Sequence, residues 1–287
     1  MKNIQKSSRS MNFSLADEDL YLKWRDEKLD QYPSKLISVS IKNPYNLSSN
    51  EYNQICHSCN KTNMVIYKLE AKIDKSGLLA LAAQFDLSCL DKNLCANDDG
   101  ITAVEVNDNH SQEYIPYTNR SINWHTDGYY NTLEQQIHAF LLHCIQPAIS
   151  GGENGLLDPE IVYIKLRDEN PEYIAALMDP TVMTIPANTE VRPEQTGPVF
   201  CFNESLHMRY TARTRSIKWK SKAKEALEFL SDFLKSDSPY IFKCKLEANQ
   251  GVLCNNVLHS RTAFTDDTNQ SRLLYRLRFY DRIKLKL

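Results

Sequence analysis

The sequence predicts a fold that combines α-helices and β-strands in one domain. Helical patterns occur early in the chain and between strand patterns, and strand patterns become more frequent in the second half. This order fits a single layered domain, and 287 residues are enough to bury a large core. We therefore expect a polar, flexible N-terminus over residues 1–13 and a single domain over residues 14–287.

The first part of the chain alternates predicted helices with predicted strands. Ser14 and Asp17 form an N-cap pattern ahead of a helix, and Pro33 follows the end of that helix. Strands are indicated where apolar and polar residues alternate. The predicted helices cover residues 15–29, 47–58 and 74–85, and the predicted strands cover residues 35–41, 63–69 and 101–106.

The second part is richer in strands. A largely apolar run over residues 137–145 predicts a buried central strand, and Gly151-Gly152 predicts a turn. Asp158 and Pro159 fit the N-cap and first position of a helix. The helix that begins there ends at Arg167, and two further predicted helices cover residues 172–178 and 222–234. The remaining predicted strands cover residues 181–186, 198–202, 240–246, 251–254 and 272–280.

Composition excludes several classes of function. The formal net charge is −2, so no basic excess is present to bind a nucleic-acid backbone. The N-terminus lacks the apolar core of a signal peptide, and no apolar run approaches the roughly 20 residues of a membrane span. We therefore expect a cytoplasmic protein that acts on a small molecule, without nucleic-acid or membrane partners, and we leave a homo-oligomer open.

The eight cysteines do not indicate a disulfide framework, because the secreted context that favours disulfides is absent. Cys56 and Cys59 are spaced as in some zinc or redox sites. They lack a second close pair and fall within a predicted helix, and a closed zinc site needs four ligands. We therefore predict that Cys56 and Cys59 hold no metal.

One short motif carries the strongest chemical signal. His125 and Asp127 are two residues apart in a predicted strand, so both side chains would point to the same face. An imidazole and a carboxylate there would form two corners of a metal site. His259 is the best candidate for the third ligand, and two histidines with one carboxylate form the facial triad of non-heme iron oxygenases.

Arginines follow this third ligand in a predicted strand. Arg272 and Arg276 share one face of that strand, because their positions differ by an even number. A guanidinium can bind a carboxylate through two parallel hydrogen bonds. This is the contact that the far end of 2-oxoglutarate requires.

The order of these residues along the chain is itself informative. His125-x-Asp127, then His259, then Arg272 resembles the Fe(II)/2-oxoglutarate dioxygenases of the taurine dioxygenase and gamma-butyrobetaine hydroxylase superfamily. The Trp-His-Thr-Asp and Gly-Gly-Glu-Asn motifs, and the segment Val-Leu-His-Ser-Arg-Thr-Ala-Phe, also look like that family. The resemblance covers roughly residues 35–283, and its motifs are specific as a set.

The resemblance implies an α+β fold with a double-stranded β-helix (jelly-roll) core and flanking helices. It implies that His125, Asp127 and His259 bind Fe(II), and that 2-oxoglutarate chelates the iron while Arg272 pairs with its far carboxylate. Asn154 occupies the position where related enzymes use a hydroxyl residue on that carboxylate, and its amide can donate the same hydrogen bond. The implied reaction uses O2, releases succinate and CO2, and hydroxylates or otherwise oxidises an unactivated C–H bond.

The substrate side is less determined. In taurine dioxygenase the arginine matching Arg276 holds the anionic group of the substrate, so the resemblance implies a small anionic metabolite. The alternative is that a protein carboxylate such as Glu153 or Asp158 pairs with Arg276. Tyr129, Tyr130 and Asn131 directly follow the metal motif, and we predict that they line its opening; this completes the candidate substrate-binding set.

Two other functions remain open from sequence. One is a cupin-like metal protein without 2-oxoglutarate, such as a thiol dioxygenase or an isomerase, and Arg272 argues against it. The other is a catalytically silent scaffold, and the complete His/Asp/His set argues against it. Residues 205–213, which include His207, Arg209 and Arg213, are interpreted as a basic surface segment, with a substrate-side wall as the alternative.

Overall fold

The computed structural model describes residues 12–91, 99–106, 115–188, 192–213, 216–267 and 269–283. Within these ranges the chain forms six α-helices and seventeen strands. The helices are α1 (Glu18–Asp30), α2 (Ser49–Thr62), α3 (Lys75–Ala83), α4 (Pro159–Glu169), α5 (Pro171–Leu177) and α6 (Lys224–Phe233). None of the described helices combines the length and the apolar character needed to cross a membrane.

The largest sheet has six strands. Its members, in spatial order, are β1 (Ser38–Ile41), β2 (Met64–Leu69), β14 (Gln250–Cys254), β5 (Ala139–Gln146), β17 (Leu273–Phe279) and β3 (Thr102–Val104). Only β1 and β2 pair in parallel, and the other neighbours are antiparallel. The predicted central strand is therefore β5, which lies between β14 and β17.

A second sheet of four antiparallel strands carries the metal motif. Its spatial order is β13 (Phe242–Cys244), β7 (Asn154–Leu157), β15 (Leu258–Arg261) and β4 (Ile122–His125). One buried apolar cluster combines side chains of both sheets, including Phe140 of β5, Leu156 of β7 and Leu274 of β17. The two sheets thus face each other across a shared core, and alternate residues of each strand point into it.

The remaining strands form short sheets at the edge of this core. They are β8 (Met183–Ile185), β9 (Gln195–Gly197) and β12 (Lys218–Trp219) in one sheet, β10 (Phe200–Phe202) with β11 (Leu206–Met208), and β6 (Ser150–Gly151) with β16 (Phe264–Thr265). They connect the second sheet to the helices.

Helices cover two sides of the structure. Residues of α2 and α3 pack on the outer face of the six-stranded sheet in a cluster with Leu277 and Phe279 of β17. A third cluster joins α1, α4, α5 and α6 to the short strands, with Tyr163 fully buried among them. The sheets are therefore shielded by helices, and the mouth between the sheets is left to loops.

Most predicted elements are present, with shifted ends. The first helix begins at Glu18 and is capped by Asp17, whose side chain accepts from the Leu20 N–H at 3.1 Å, so the prediction that Ser14 caps it is wrong. Six short strands (β6, β9, β11, β12, β15 and β16) were not predicted, because each has two to four residues and too little alternation to detect. Residues 1–11 and Cys95 lie outside the described residues, and the single domain over residues 14–287 stays a prediction.

Candidate metal centre

Three side chains converge where β4 and β15 end. His125 is the last residue of β4 and lies opposite His259 of β15 in the strand register. Their ring centroids are 4.2 Å apart. Asp127 completes the group: one ligand atom from each of the three side chains lies within 4.8 Å of the others. His125 and His259, 134 positions apart in sequence, are thus neighbours because two antiparallel strands bring them together.

Backbone hydrogen bonds orient both imidazoles in the same way. Nδ1 of His125 is 2.8 Å from the carbonyl oxygen of Asn123, and Nδ1 of His259 is 2.9 Å from that of Val257. A carbonyl can only accept, so each Nδ1 carries the proton. Each Nε2 therefore keeps a lone pair, which is the form in which histidine binds a metal.

Asp127 lies beyond the end of β4 and is positioned by a side chain rather than by the strand. Asn256 accepts from the Asp127 N–H at 2.8 Å and donates to the Asp127 carbonyl at 3.0 Å. The same amide donates to the Ile137 carbonyl at 2.6 Å. The expectation that His125 and Asp127 share one strand face is therefore wrong for Asp127, because the strand ends at His125. Asn256 replaces the missing strand contacts.

Burial and charge determine the protonation of this group. Burial, and then the neighbouring His259, lower the pKa of His125 to about 3. Burial also lowers the pKa of His259. Burial opposes the ionisation of Asp127, but the positive charges of Arg276 and Arg278 outweigh it and hold the pKa of that carboxyl far below its usual range. At neutral pH the site thus holds two neutral imidazoles and one carboxylate.

This donor set fits a divalent metal. Oδ2 of Asp127 is buried and has no hydrogen-bond partner among the described residues. An unpaired buried carboxylate oxygen is costly, and a cation beside it would remove that cost. Two imidazole nitrogens and one carboxylate oxygen on one side of an ion leave its other side free for further ligands.

Arg272 and Asn154 line one pocket. The pocket is lined by Arg272, Asn154, Gly152 and Lys245 among others. Arg272 is 4% exposed, its guanidinium lies 4.9 Å from the ring centroid of Phe264, and its Nη1 is buried without a partner among the described residues. Burial lowers the pKa of Arg272 to about 10, so the group stays charged at neutral pH. A buried, charged donor without an acceptor fits a ligand carboxylate.

Asn154 lies on β7 and is buried. Its side-chain amide donates to the Cys244 carbonyl at 3.3 Å. An amide NH2 has two protons, so one of them can still be donated into the pocket.

Arg276 lies on the inward face of β17 and pairs with Asp127. Its Nη1 is 3.3 Å from Oδ1 of Asp127, and its Nε is buried without a partner among the described residues. A protein carboxylate does pair with Arg276, as the sequence alternative allowed, but it is Asp127 and not Glu153 or Asp158, the examples given for it. Asp158 pairs instead with Lys28 at 2.7 Å.

Arg278, two residues further, was missed by sequence analysis. It is 2% exposed, forms an ion pair with Asp91, and donates to the hydroxyl of Tyr130 at 2.9 Å. The even spacing from Arg276 on the predicted strand was the available signal.

Tyr129 lies beside His125, and Tyr130 lies beside Tyr129; that they line the opening stays a prediction. The ring of Tyr129 is 6.4 Å from that of His125, and the two tyrosine rings are 5.2 Å apart in an edge-to-face arrangement. Asn131 has a different environment. Its side chain donates to the Gln135 carbonyl at 2.9 Å within the following turn. We call the pair of rings of Tyr129 and Tyr130 the aromatic wall, and the side chain of Asn131 is not part of it.

The interpretation of residues 205–213 as a basic surface segment is wrong. His207 and Arg209 are buried, and only Arg213 is exposed. Segment 210–212 runs beside β4, with the Thr126 N–H donating to the Tyr210 carbonyl at 3.0 Å and the Ala212 N–H donating to the Trp124 carbonyl at 2.8 Å. The sequence does not reveal this pairing, because a single bridge leaves no run of alternating residues.

Cys56 and Cys59 lie on α2 and are buried, and no disulfide joins the described cysteines. Burial raises the pKa of the Cys59 thiol. The prediction that these two residues hold no metal is not tested by this arrangement and stays a prediction.

Comparison with known proteins establishes the class. The sequence profile of the family described as taurine catabolism dioxygenase TauD, TfdA family matches residues 27–278. The chain therefore belongs to the TauD/TfdA family. This is a family of non-heme iron dioxygenases, in agreement with the resemblance drawn from the sequence motifs.

One curated relative adds a more specific likeness. A uridine-5'-phosphate dioxygenase from a Streptomyces species is 31% identical over 179 residues, which cover 58% of this chain. The match spans 64% of that relative, so less than two thirds of its length.

Solved structures share the fold. An asparagine oxygenase complex with Fe(II), 3-hydroxyasparagine and succinate aligns with a TM-score of 0.61 at 13% identity, covering 96% of this chain and 89% of the other. The oxygenase OrfP in complex with iron and alpha-ketoglutaric acid aligns with a TM-score of 0.61 at 13% identity, covering 84% of this chain and 82% of the other. The PvcB protein from Pseudomonas aeruginosa aligns with a TM-score of 0.59 at 14% identity, covering 86% of this chain and 87% of the other. These likenesses confirm the predicted α+β fold with a double-stranded β-helix core.

Proposed function

We propose that this protein is an Fe(II)- and 2-oxoglutarate-dependent oxygenase that oxidises a C–H bond of a small anionic metabolite. The observation that carries the proposal is the cluster of His125, Asp127 and His259. Each of the three offers a metal-ligating atom that no other described group occupies. We also propose the cytoplasmic location expected from the sequence.

The two Nε2 atoms and the free carboxylate oxygen would hold the iron. Iron bound there would supply the redox chemistry by which O2 oxidises 2-oxoglutarate to succinate and CO2 and a C–H bond of the substrate is oxidised. The chain itself keeps both imidazoles neutral by burial and keeps Asp127 ionised through the positive charge of Arg276. The site is thus prepared for a cation over the whole neutral range.

The pocket of Arg272 and Asn154 would receive the co-substrate. Its far carboxylate would accept from the unpaired Nη1 of Arg272 and from the amide of Asn154. Asn154 was assigned this contact on sequence, and the remaining proton of its amide supports the assignment. The presence of a carboxylate at position 127 also argues against a halogenase, because the iron of a halogenase needs that ligand position free for chloride.

Arg276 would bind the anionic group of the substrate. Its Nη1 holds Asp127, and its buried Nε has no partner among the described residues, so the same guanidinium can serve a second acceptor. Tyr129 and Tyr130 would line the opening, whereas the side chain of Asn131 is committed to the adjacent turn. The likeness to a uridine-5'-phosphate dioxygenase supports an anionic substrate and makes uridine 5'-phosphate the first compound to assay.

Anaerobic addition of Fe(II) and 2-oxoglutarate tests the function directly. We expect a weak visible charge-transfer band from the chelate, which disappears in a His259→Ala variant because one ligand is lost. A cupin-like enzyme without 2-oxoglutarate would bind iron but form no such band. A silent scaffold would bind neither. Either result would contradict the proposal.

Arg272→Ala should weaken 2-oxoglutarate binding while leaving iron binding intact. Loss of a charge-assisted pair in a buried pocket costs on the order of 2–5 kcal/mol, which is a large increase in the KM for 2-oxoglutarate. Lys245→Ala is a matched control, because Lys245 lines the same pocket but is half-buried and already donates to the Ile149 carbonyl. An unchanged dependence on 2-oxoglutarate in Arg272→Ala would exclude the assigned role.

Arg276→Gln should lose turnover of acidic substrates. The measurement is succinate release over a panel of carboxylates, sulfonates and phosphates, with iron content determined in parallel because Arg276 also contacts Asp127. We expect release above the uncoupled background to drop strongly at full iron occupancy. An uncharged best substrate, or a variant as active as the original protein, would contradict the role of Arg276.

A further inference from the structure

The opening of the metal centre carries positive charge that no described carboxylate neutralises. Arg276 pairs with Asp127 and Arg278 pairs with Asp91. By contrast, the three arginines Arg192, Arg209 and Arg213 make no ion pair with any carboxylate in the described part of the chain. Their hydrogen bonds go only to neutral oxygens.

Arg213 reaches the aromatic wall from the segment beside β4. Thr211 forms a bridge with His125, and Arg213 is two residues beyond it in the same segment. The guanidinium donates to the hydroxyl of Tyr129 at 3.3 Å and is otherwise exposed. Tyr129 is in turn the aromatic neighbour of His125.

Arg192 contacts the other tyrosine of the wall, Tyr130. Its guanidinium carbon lies 5.4 Å from the ring centroid of Tyr130, and its Nη1 donates to the Pro186 carbonyl at 3.0 Å. Arg213 and Arg192 thus contact two tyrosines whose rings are 5.2 Å apart. Donors on both guanidiniums remain available to a ligand that lies on this wall.

Arg209 has a supporting role beneath the wall. It is 3% exposed, and its guanidinium donates to the carbonyls of Tyr129, Met183, Gly197 and Gln195. Burial, and then the charge of Arg192, lower the pKa of Arg209 to about 10. The positive charge of Arg192 is therefore close enough to repel that of the buried Arg209, and an anion beside the two guanidiniums would relieve this repulsion.

We propose that Arg192 and Arg213, on the wall of Tyr129 and Tyr130, form the binding site for a phosphate monoester group of the substrate. A phosphate monoester carries a charge of about −1.5 to −2 at neutral pH and offers three acceptor oxygens. That charge matches two unpaired guanidiniums better than a single carboxylate does, and arginine forks bind phosphate oxygens in pairs. This inference rests on the proposed oxygenase function and narrows its anionic metabolite to a phosphorylated one. The phosphate would lie on Arg192 and Arg213, and Arg276, which contacts Asp127, would bind a second acceptor group of the same substrate nearer the metal centre.

The test measures binding rather than turnover. The protein, loaded anaerobically with Fe(II) and 2-oxoglutarate, is titrated calorimetrically with uridine 5'-phosphate, cytidine 5'-phosphate, ribose 5-phosphate and glucose 6-phosphate. Each phosphate ester is compared with its unphosphorylated counterpart, and asparagine and arginine are included. We expect at least one phosphate ester to bind, and its unphosphorylated counterpart to bind roughly ten- to a hundredfold more weakly.

Variants assign the effect to the two arginines. Arg213→Gln and Arg192→Gln should each raise the Kd of the phosphate ester roughly tenfold or more, and should leave the Kd of the unphosphorylated compound unchanged. Arg213→Lys should recover part of the loss, because it restores the charge without the fork. Lys224→Gln is the matched control, since Lys224 is an exposed cation whose partner, Glu228, lies on the same helix α6.

The outcomes separate this inference from the function beneath it. The charge-transfer band with Fe(II) and 2-oxoglutarate reports folding and the metal centre in each variant. If the band forms but no phosphate ester binds, or if esters and their counterparts bind equally, the phosphate site is wrong and the oxygenase function stands. The same holds if Arg213→Gln and Arg192→Gln bind the ester as the original protein does. If the band does not form in the original protein, the oxygenase function itself fails.

Discussion

At the residue scale, Asn256 controls the metal centre without offering it a ligand. Its side-chain amide accepts a hydrogen bond from the N–H of Asp127 and donates one to the carbonyl of Asp127. Its own backbone has a φ of 47°, which lies in the left-handed region. Asparagine is one of the few residues that tolerate this conformation and also carry an amide. The position thus needs one residue type for two separate physical reasons.

Asn256→Ala should lower metal affinity while the protein stays folded. Groups that orient a ligand typically contribute a factor of about 10–100 to metal binding, and the loss of buried hydrogen bonds should cost about 1–3 kcal/mol of stability. The measurements are the Kd for Fe(II) or Co(II) and the free energy of unfolding by urea.

Asn249→Ala is the control for this variant. Asn249 also has positive φ, 64°, but it lies in the turn before β14 and does not contact Asp127. It should reproduce the backbone strain and leave metal affinity unchanged. Equal metal affinities in the two variants would show that Asn256 acts only on the backbone.

At the element scale, the turn between β6 and β7 brings the backbone close to the co-substrate pocket. Gly151 and Gly152 both have positive φ, 70° and 71°. A Cβ on Gly151 would lie 2.1 Å from the carbonyl oxygen of Ala263, whereas a Cβ on Gly152 would meet no atom nearer than 3.5 Å. Two adjacent glycines therefore have different roles in one turn.

Gly151→Ala should destabilise the protein more than Gly152→Ala. Both variants pay about 1–2 kcal/mol for left-handed alanine, but only the first must also separate β6 from β16 to relieve the backbone clash. The free energies of unfolding by urea give the comparison. Equal values would mean that the β6–β16 pairing tolerates the displacement.

At the scale of the whole molecule, a buried charge cluster ties distant segments together. Lys28 on α1 is 9% exposed and pairs with Asp158 and Glu160 at the start of α4, at 2.7 and 2.5 Å. Asn63, at the end of α2, donates to Asp158 and accepts from Arg282 near the end of the described chain. The cluster therefore joins four segments around the start of α4.

Lys28→Met should lower the free energy of unfolding by about 3–5 kcal/mol, because it leaves two buried carboxylates without their cation. Lys23→Met on the same helix is the control, since Lys23 is exposed and should change stability by less than about 0.5 kcal/mol. Urea unfolding of both variants is the measurement. A Lys28→Met protein as stable as the control would show that water or the remaining hydrogen bonds compensate the two carboxylates.

The sequence by itself determined the class of the protein and its principal residues. His125, Asp127 and His259 were recognised from residue type and order, Arg272 and Arg276 from even spacing on a strand, and the main helices and long strands from their periodicity. These signals are local, or they are motifs in which a fixed chemistry demands fixed residue types. The structure brings the ligand atoms of the three triad residues within 4.8 Å of one another, and it places Arg272 and Asn154 in one pocket; the roles of these residues stay predictions.

Only the tertiary structure decided how those residues are held and which charges remain unpaired. Asp127 is positioned by Asn256 across 129 residues of sequence. Segment 205–213 is largely buried beside β4 rather than exposed, and the partner of Arg276 is Asp127 rather than Glu153 or Asp158. Each of these facts depends on a pairing between segments far apart in the chain, for which a single sequence carries no periodic signal. Burial and charge pairing are properties of neighbours in space, so they can be assigned only after the chain has folded.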